Sequence, residues 1–152
     1  MLAPTSVSPP IIQGARSGSL QTNHPEACRD CISLVIPTFN SVKYIKDCIE
    51  SILQQQLVKV HVIVVDNNSR DGTRSTVREL FPQVVLVALD DNLGYAGGCN
   101  EGFRVSHSDI VGFVNADCTL DRKCLSELQR TMGSNQKLAA IMPKICLLGD
   151  PT

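Results

Sequence analysis

Tryptophan is absent from this 152-residue chain, and aromatic residues make up only 4% of it. So few rings do not favour an aromatic surface on which nucleic-acid bases would stack. A basic excess is also missing, because 14 Lys and Arg are balanced by 15 Asp and Glu, for a formal net charge of -1. These two absences exclude nucleic acid as the main expected partner.

Long apolar runs are lacking as well, since none approaches the roughly 20 residues of a membrane-spanning helix. The first 20 residues have neither a basic start nor a long apolar segment, so we expect no secretory signal. The seven cysteines are an odd number and fall on predicted helices and strands. This pattern favours reduced thiols in a cytoplasmic protein over a disulfide framework.

Metal and redox motifs built on paired cysteines are incomplete. Cys28 and Cys31 have the spacing of a zinc or redox pair, but no second Cys or His pair completes a site. The pair precedes a predicted strand instead of opening a helix. We therefore interpret both cysteines as structural.

What the chain does have is an alternation of apolar strands and amphipathic helices. Residues 1–29 are rich in Pro, Ser and Gly, and we expect a disordered leader there, followed by one folded domain at 30–152. Apolar runs predict strands at 32–37, 58–66, 84–89, 109–114 and 138–143. Helices are predicted at 41–56 with Asn40-Ser41 as N-cap, at 74–80, at 100–106, and at 122–132 with Asp121 as N-cap.

Nearly continuous apolar strands indicate burial on both faces of a parallel sheet. The predicted fold class is therefore α/β, with a doubly wound, mainly parallel, Rossmann-like sheet. In such sheets ligands bind beyond the carboxyl ends of the strands, where the strand order reverses. Polar or glycine-rich segments follow four of the predicted strands: PTFN after the first, DNNS at the end of the second, DDNLGYAGG after the third and NAD after the fourth.

Two phosphate-binding motifs are missing from these strand ends. G-x-G-x-x-G does not follow the first strand, where PTFN stands, which makes a dinucleotide-dependent enzyme improbable. The P-loop pattern G-x-x-x-x-G-K-[ST] is absent from the whole chain.

The segments SLVIPTFN, VIVVDNNSRDGT, NLGYAGGCNEG and FVNADCTLD, in this order and spacing, resemble the donor-nucleotide half of a family 2 glycosyltransferase with the GT-A fold. The resemblance covers residues 32–143 and is greatest to the branch of rhamnosyltransferases and related polysaccharide and cell-wall assembly enzymes. It implies a nucleotide-diphospho-sugar transferase fold that is incomplete at its C-terminus.

The resemblance also implies roles for single residues. Asp66 would accept a hydrogen bond from a uracil or thymine base, and Asp117 would bind Mg²⁺ or Mn²⁺ within an N-x-D form of the D-x-D motif. The nucleotide-sugar-binding residues implied are Pro37, Thr38, Asn40, Asp66, Asn68, Gly94, Ala96, Asn100, Asn115, Ala116 and Asp117. Taken alone, several of these are also common turn-forming or helix-capping types.

The implied reaction transfers a sugar, with inversion, from a UDP- or dTDP-linked donor to a glycan or lipid-linked acceptor. A divalent ion would neutralise the charge that develops on the leaving diphosphate. The catalytic base has no counterpart here, and we expect it beyond Thr152. The implied location is the cytoplasm, or the inner face of the membrane if the acceptor is held there.

Two alternatives stay open. Without its base, the chain could be a non-catalytic nucleotide-sugar-binding fragment or degenerate paralogue. A nucleotidyltransferase shares the architecture, but it normally has a glycine-rich, basic loop after the first strand, and PTFN is not such a loop.

Overall fold

The computed structural model describes residues 11–13 and 31–147, in which strands and helices alternate. The strands are β1 (Ile11–Gln13), β2 (Cys31–Thr38), β3 (Lys59–Asp66), β4 (Val85–Ala88) and β5 (Ile110–Phe113). The helices are α1 (Ile45–Leu53), α2 (Thr73–Leu80), α3 (Gly94–Arg104) and α4 (Cys124–Ser134). Every strand pair is parallel, which confirms the predicted Rossmann-like α/β class.

Side chains of the central strands alternate between two buried apolar layers. Leu34 and Ile36 of β2 pack in one layer with Ile49 of α1, whereas Val35 packs in the other layer with Val105, next to the end of α3. Each of these side chains is at most 2% exposed. Burying one such aliphatic side chain contributes about 1.5 to 3 kcal/mol. Burial on both faces is why these strands read as continuous apolar runs.

From β2 onward, the strand order β1-β4-β3-β2-β5 contains one reversal of direction. From β2 the chain steps to β3 and then β4 through α1 and α2, which pack on one face. It then crosses back over β3 and β2 through α3, on the opposite face, to reach β5. The reversal lies between β2 and β5, and at such a point the connecting loops diverge and leave a crevice at the carboxyl edge.

Three predicted helix starts are displaced in the structure. Helix α1 begins at Ile45 and not beside Asn40, because Asn40 has a left-handed φ of 51° and its Oδ1 accepts a hydrogen bond from Arg70 N (2.9 Å). Helix α4 begins at Cys124, and Asp121 closes the turn before it by accepting from Lys123 N at 2.9 Å. The side chains of these two polar residues therefore stabilise loops and do not cap the helices.

The third displacement concerns α3, which starts at Gly94, so residues 94–98 are helical although they were predicted as loop. Two asparagine side chains accept hydrogen bonds from the backbone where the helix begins. Asn92 Oδ1 accepts from Gly94 N at 2.8 Å, and Asn67 Oδ1 accepts from Leu93 N at 3.3 Å. Gly98 lies against Asn67 and Pro37, since a Cβ there would be 2.7 Å from Asn67 Nδ2. This glycine therefore serves close packing.

Two further expectations differ from the structure. The predicted strand at 138–143 does not form: no strand among residues 11–13 and 31–147 pairs with this run, and Met142 is 75% exposed. Within the segment predicted to be disordered, Ile11–Gln13 pair in parallel with β4. The rest of residues 1–29, including Cys28, lies outside the described part. Among the described residues, no helix has the length and apolarity needed to cross a bilayer.

Candidate functional site

A cleft of about 320 Å³ opens at the carboxyl edge of the sheet, where β2 and β5 lie side by side. One wall comes from the end of β2 and the turn that leads into α1, and another comes from the loop after β5. The lining residues are Pro37, Asn40, Ser41, Tyr44, Tyr95, Asn115, Ala116 and Asp117. The cleft thus lies at the reversal of strand order, where this class of fold holds ligands.

Asn115 and Asp117 present the polar groups of the β5 wall. Both residues are exposed, whereas Ala116 between them is buried and packs with the apolar layer of α1. Cys118 N donates to Asn115 O at 3.1 Å, which closes the turn, and the Cys118 thiol lies 3.8 Å from Asp117 Oδ1. An amide and a carboxylate therefore project together from a turn that is anchored by a buried alanine.

Helix α1 holds this β5 loop with side chains from one of its faces. Cys48, Ser51 and Gln55 are spaced three and four residues apart and so lie on the same side of the helix or its continuation. Their hydrogen bonds are Cys48 Sγ to Asn115 O (3.6 Å), Leu120 N to Ser51 Oγ (3.0 Å), Leu125 N to Gln55 Oε1 (2.9 Å) and Gln55 Nε2 to Asp121 O (2.6 Å). The position of Asp117 is thus determined by α1.

The loops after β2 and β3 are joined by side-chain hydrogen bonds. Asp71 Oδ2 accepts from Val42 N at 2.9 Å, and Asp71 Oδ1 accepts from the hydroxyl of Thr73 at 2.6 Å. Thr73 Oγ1 in turn accepts from Ser41 N at 2.9 Å. Burial alone would raise the pKa of Asp71, but the bonds from the Thr73 hydroxyl and from backbone N–H groups lower it below its usual value.

Behind the cleft, Thr38 and Asp66 end neighbouring strands and are register partners. Thr38 is 2% exposed and Asp66 is fully buried. Asp66 forms an ion pair with Arg74 of α2, with Nη2 at 2.7 Å and Nε at 2.8 Å from its Oδ2. Asp66 is fully buried whereas the Arg74 side chain is 34% exposed, so Arg74 pairs with this buried carboxylate from the edge of the solvent.

The residues predicted from the sequence divide into three groups. Those that line the cleft are Pro37, Asn40, Asn115, Ala116 and Asp117. Thr38 and Asp66 lie directly behind it at the strand ends. Asn68, with a left-handed φ of 63°, and three residues of α3 are not among the lining residues; those three are Gly94, Ala96 and Asn100.

Three contributors to this region were not predicted. Tyr44 and Tyr95 are the only two tyrosines of the chain, both are 54% exposed, and both line the cleft. Their positions depend on the α1 turn and on the start of α3, which no local pattern brings together. Partial burial, together with the nearby Cys99 thiol, raises the pKa of Tyr95 further above neutral pH, so its hydroxyl stays protonated and can donate a hydrogen bond. Arg74 was interpreted only as a residue of a helix.

In the part of the chain that the structure describes, no group of three or more His, Cys, Asp and Glu side chains could hold a metal ion by itself. The cleft offers the carboxylate of Asp117 and the amide oxygen of Asn115. Magnesium is often bound by one or two carboxylates together with phosphate oxygens of a substrate. The donor set therefore fits a hard divalent ion only when a phosphorylated ligand supplies further oxygens.

Comparison with known proteins gives a family match for most of the chain. The sequence profile described as Glycosyl transferase family 2 matches residues 33–145. The succinoglycan biosynthesis protein ExoO of Rhizobium meliloti is 36% identical over 90 residues, which cover 59% of this chain and 26% of that protein. An uncharacterized glycosyltransferase of Nostoc is 29% identical over 89 residues, covering 57% of this chain and 28% of its own length.

Solved structures with the same fold include two with bound nucleotide sugars. TarS of S. aureus in complex with UDP-GlcNAc is 25% identical, with a TM-score of 0.64 over 70% of this chain and 32% of that one. The mannosyltransferase PcManGT from Pyrobaculum calidifontis, in complex with GDP-Man and Mn²⁺, is 28% identical, with a TM-score of 0.64 over 72% of this chain and 34% of that one. The chain thus spans about a third or less of the length of these proteins.

Proposed function

The chain belongs to glycosyl transferase family 2 and has the GT-A fold, and on this premise we propose that its cleft holds the nucleoside-diphosphate sugar of a sugar-transfer reaction. The observation that supports this most is the joining of Asn115 and Asp117, from the β5 loop, with Pro37 and Asn40, from the β2 end, in one cleft. A phosphorylated sugar needs polar oxygens, hydroxyl donors and some apolar surface, and the cleft provides all three.

The diphosphate is the part of the donor for which Asp117 matters most. Asp117 would hold a divalent ion, Mg²⁺ or Mn²⁺, together with the diphosphate of the donor, and the Asn115 amide oxygen would be a further ligand candidate. When bound, such an ion neutralises the charge that develops on the leaving phosphate. Asp117 would hold the ion in place, because its turn is fixed by Ala116 and by hydrogen bonds from α1.

The nucleoside would lie nearer to β3 and α3. Thr38 and Asp66 would read the base, and Asn68 would shape the adjacent wall. Gly94, Ala96 and Asn100 occur along one helix, and we place them beside the ribose and phosphates. The two structural neighbours hold a uridine and a guanosine nucleotide, so this fold by itself does not decide which base is bound.

In the proposed reaction an acceptor hydroxyl attacks the anomeric carbon of the donor sugar. A glycosidic bond forms, the bond from that carbon to the β-phosphate oxygen breaks, and the nucleoside diphosphate leaves. The hydroxyl proton passes to a carboxylate base, and attack from the face opposite to the leaving group inverts the anomeric centre. We assign no residue of this chain to the base. The acceptor would be a glycan or a lipid-linked glycan, and the latter would bring the protein to the inner face of the membrane.

The test is thermal unfolding of the full 152-residue chain with and without nucleotide sugars. UDP- or dTDP-sugar together with Mn²⁺ should raise the melting temperature, because a ligand that binds only the folded state stabilises it. In Asp117→Ala the increment that depends on Mn²⁺ should disappear. The matched control is Asp121→Asn, since residue 121 is exposed and closes only a local turn.

A well-folded sample that shows no shift with any nucleoside diphosphate or nucleotide sugar would contradict the proposal. A product assay then separates two outcomes among binders. Sugar transfer to an acceptor supports the enzyme, and binding without transfer supports the non-catalytic nucleotide-sugar-binding alternative. Formation of a nucleoside triphosphate and a sugar 1-phosphate when pyrophosphate is added, in place of transfer, would indicate a nucleotidyltransferase.

A further inference from the structure

Two buried polar atoms at adjacent strand ends have no hydrogen-bond partner among the described residues. They are Thr38 Oγ1, at the end of β2, and Asp66 Oδ1, at the end of β3. A buried polar group without a partner costs about 1 to 3 kcal/mol, so native folds rarely keep two of them side by side without a reason. A ligand that satisfies both would recover this loss.

The other oxygen of Asp66 is fully occupied. Asp66 Oδ2 accepts from Arg74 Nε at 2.8 Å and from Ser69 N at 3.3 Å, and it forms the 2.7 Å ion pair with Arg74 Nη2. Arg74 Nη2 also donates to Leu89 O at 3.1 Å, which ties the guanidinium to the residue after β4. The carboxylate therefore presents a single free acceptor, Oδ1, beside the Thr38 hydroxyl.

From this arrangement we propose that Arg74 is a specificity-determining residue that restricts the nucleobase to uracil or thymine. The imide edge of these bases has one N–H flanked by two carbonyls. The N–H can donate to Asp66 Oδ1 while a carbonyl accepts from the Thr38 hydroxyl. Guanine has two adjacent donor groups, N1–H and N2–H₂, and two parallel, well-aligned hydrogen bonds from them require both oxygens of a carboxylate. Because Arg74 occupies Oδ2, one guanine donor is left without an acceptor.

The inference rests on the proposed function, since it deepens the description of the same nucleotide site. Arg74 acts on the base through Asp66, and thus as a positioning residue. If the ion pair were purely structural, a change at residue 74 would lower the stability of the fold and weaken the binding of all nucleotides by the same factor. The specificity role predicts a change in the ratio of uridine to guanosine affinity. Both target atoms are fully buried, so loop side chains must move when a base reaches them.

The experiment measures dissociation constants of UDP, dTDP and GDP for the full chain in the presence of Mn²⁺, by titration calorimetry. The wild type should bind UDP and dTDP roughly ten to a hundred times more tightly than GDP, which is the ratio that one unpaired donor produces. In Arg74→Gln the ratio should fall about tenfold or more, because Oδ2 is less firmly held. Arg74→Lys, which keeps the charge, should give an intermediate ratio. The matched control is Arg78→Gln, one turn further along α2 and exposed.

Thr38→Val keeps the shape of the side chain and removes the unpartnered hydroxyl. It should leave the melting temperature unchanged or higher while weakening UDP binding about tenfold. If Arg74→Gln does not fold, the ratio of UDP to GDP affinity in Arg74→Lys provides the test. Equal affinity of the wild type for UDP and GDP, an unchanged ratio in the residue 74 variants, or unchanged UDP affinity in Thr38→Val would each overturn the inference but not the proposed function. Failure to bind any nucleotide would instead overturn the proposed function.

Discussion

Gly102 of α3 approaches Val35 of β2 so closely that a Cβ at residue 102 would lie 2.2 Å from Val35 Cγ1. The same Cβ would lie 3.1 Å from Val65 Cγ2 on the neighbouring strand. Real Cβ atoms do not come within 2.2 Å of another side-chain carbon, so α3 could not pack at this depth with any other residue at 102. The close approach of α3 to β2 and β3 keeps Tyr95, in the first turn of the helix, at the cleft.

We therefore expect Gly102→Ala to destabilise the fold by about 1 to 3 kcal/mol, the usual range for overpacking a close-packed core. The free energy of unfolding, measured by urea titration, checks this. Gly133→Ala is the matched control, because residue 133 is also helical but nothing lies within 4 Å of a Cβ there. That change should be neutral or stabilising by up to about 1 kcal/mol.

A second-site test follows from the same contact. Val35→Ala removes the atom that the new Cβ would meet, so the double variant should be more stable than the sum of the two single losses predicts. Equal stability of Gly102→Ala and the wild type would show that α3 does not pack against Val35 as described.

Asp71 should make stability depend on pH in the acid range. Its pKa is lowered in the folded state, against the effect of burial, by hydrogen bonds from Thr73 and Val42. A lowered pKa means that the ionised carboxylate favours folding. That contribution is fully present above the pKa of about 4 in the unfolded chain, and it is lost as the pH falls through the lower folded value.

Comparing Asp71→Asn with the wild type tests this dependence. The difference in melting temperature between them should be largest near neutral pH and should shrink as the pH is lowered below about 4. The control is Asp90→Asn, which changes an exposed loop carboxylate. If the difference in melting temperature stays constant down to pH 2, the charge of Asp71 does not contribute to stability.

Cys48 should resist alkylation in the folded protein. Burial, together with the nearby Cys118 thiol and Asp117 carboxylate, raises the pKa of Cys48 to about 12. Because the thiolate is the nucleophile, the neutral thiol should not react with iodoacetamide at pH 8, whereas exposed Cys146 should react readily. Peptide mass spectrometry after labelling gives the extent at each cysteine. Labelling of Cys48 at the rate of Cys146 in the native protein would contradict its burial.

Tyrosine emission should report on the cleft alone, because the chain has no Trp and both of its tyrosines line the cleft. Saturation with UDP and Mn²⁺ should change the intrinsic emission, after correction for nucleotide absorbance with a free tyrosine derivative. Tyr44→Phe and Tyr95→Phe each leave a single tyrosine. The variant whose emission still changes on binding identifies the tyrosine that lies near the ligand. Unchanged emission at a UDP concentration that saturates the calorimetric signal would place the nucleotide outside this cleft.

Much of the architecture follows from local patterns. The apolar runs of β2, β3, β4 and β5 and the spacing of Ile45, Ile49 and Ile52 in α1 predicted the elements, because each buries a face that its own sequence specifies. Element ends were predicted less well. Asn40 and Asp121 are good capping types, but Asn40 accepts from Arg70 N of a remote loop, which only the folded chain shows, and Asp121 closes the local turn before α4.

The predicted strand at 138–143 shows a second kind of limit. Its composition is apolar, yet Met142 is 75% exposed and β5 has no partner on its outer side within the described residues. A β-strand forms only when a neighbouring strand is available for hydrogen bonding, and an apolar run in the sequence does not show whether one is.

By itself, the sequence determined the α/β class, the family, and the residue types at the strand ends, because these depend on period, order and spacing along the chain. The tertiary structure alone decided that β5 lies beside β2, which brings Asp117 to Pro37 across more than seventy residues. It also decided that Arg74 holds one oxygen of Asp66 and that two distant tyrosines share one cleft. These contacts arise from strand pairing and helix docking between remote segments, which no local periodicity encodes.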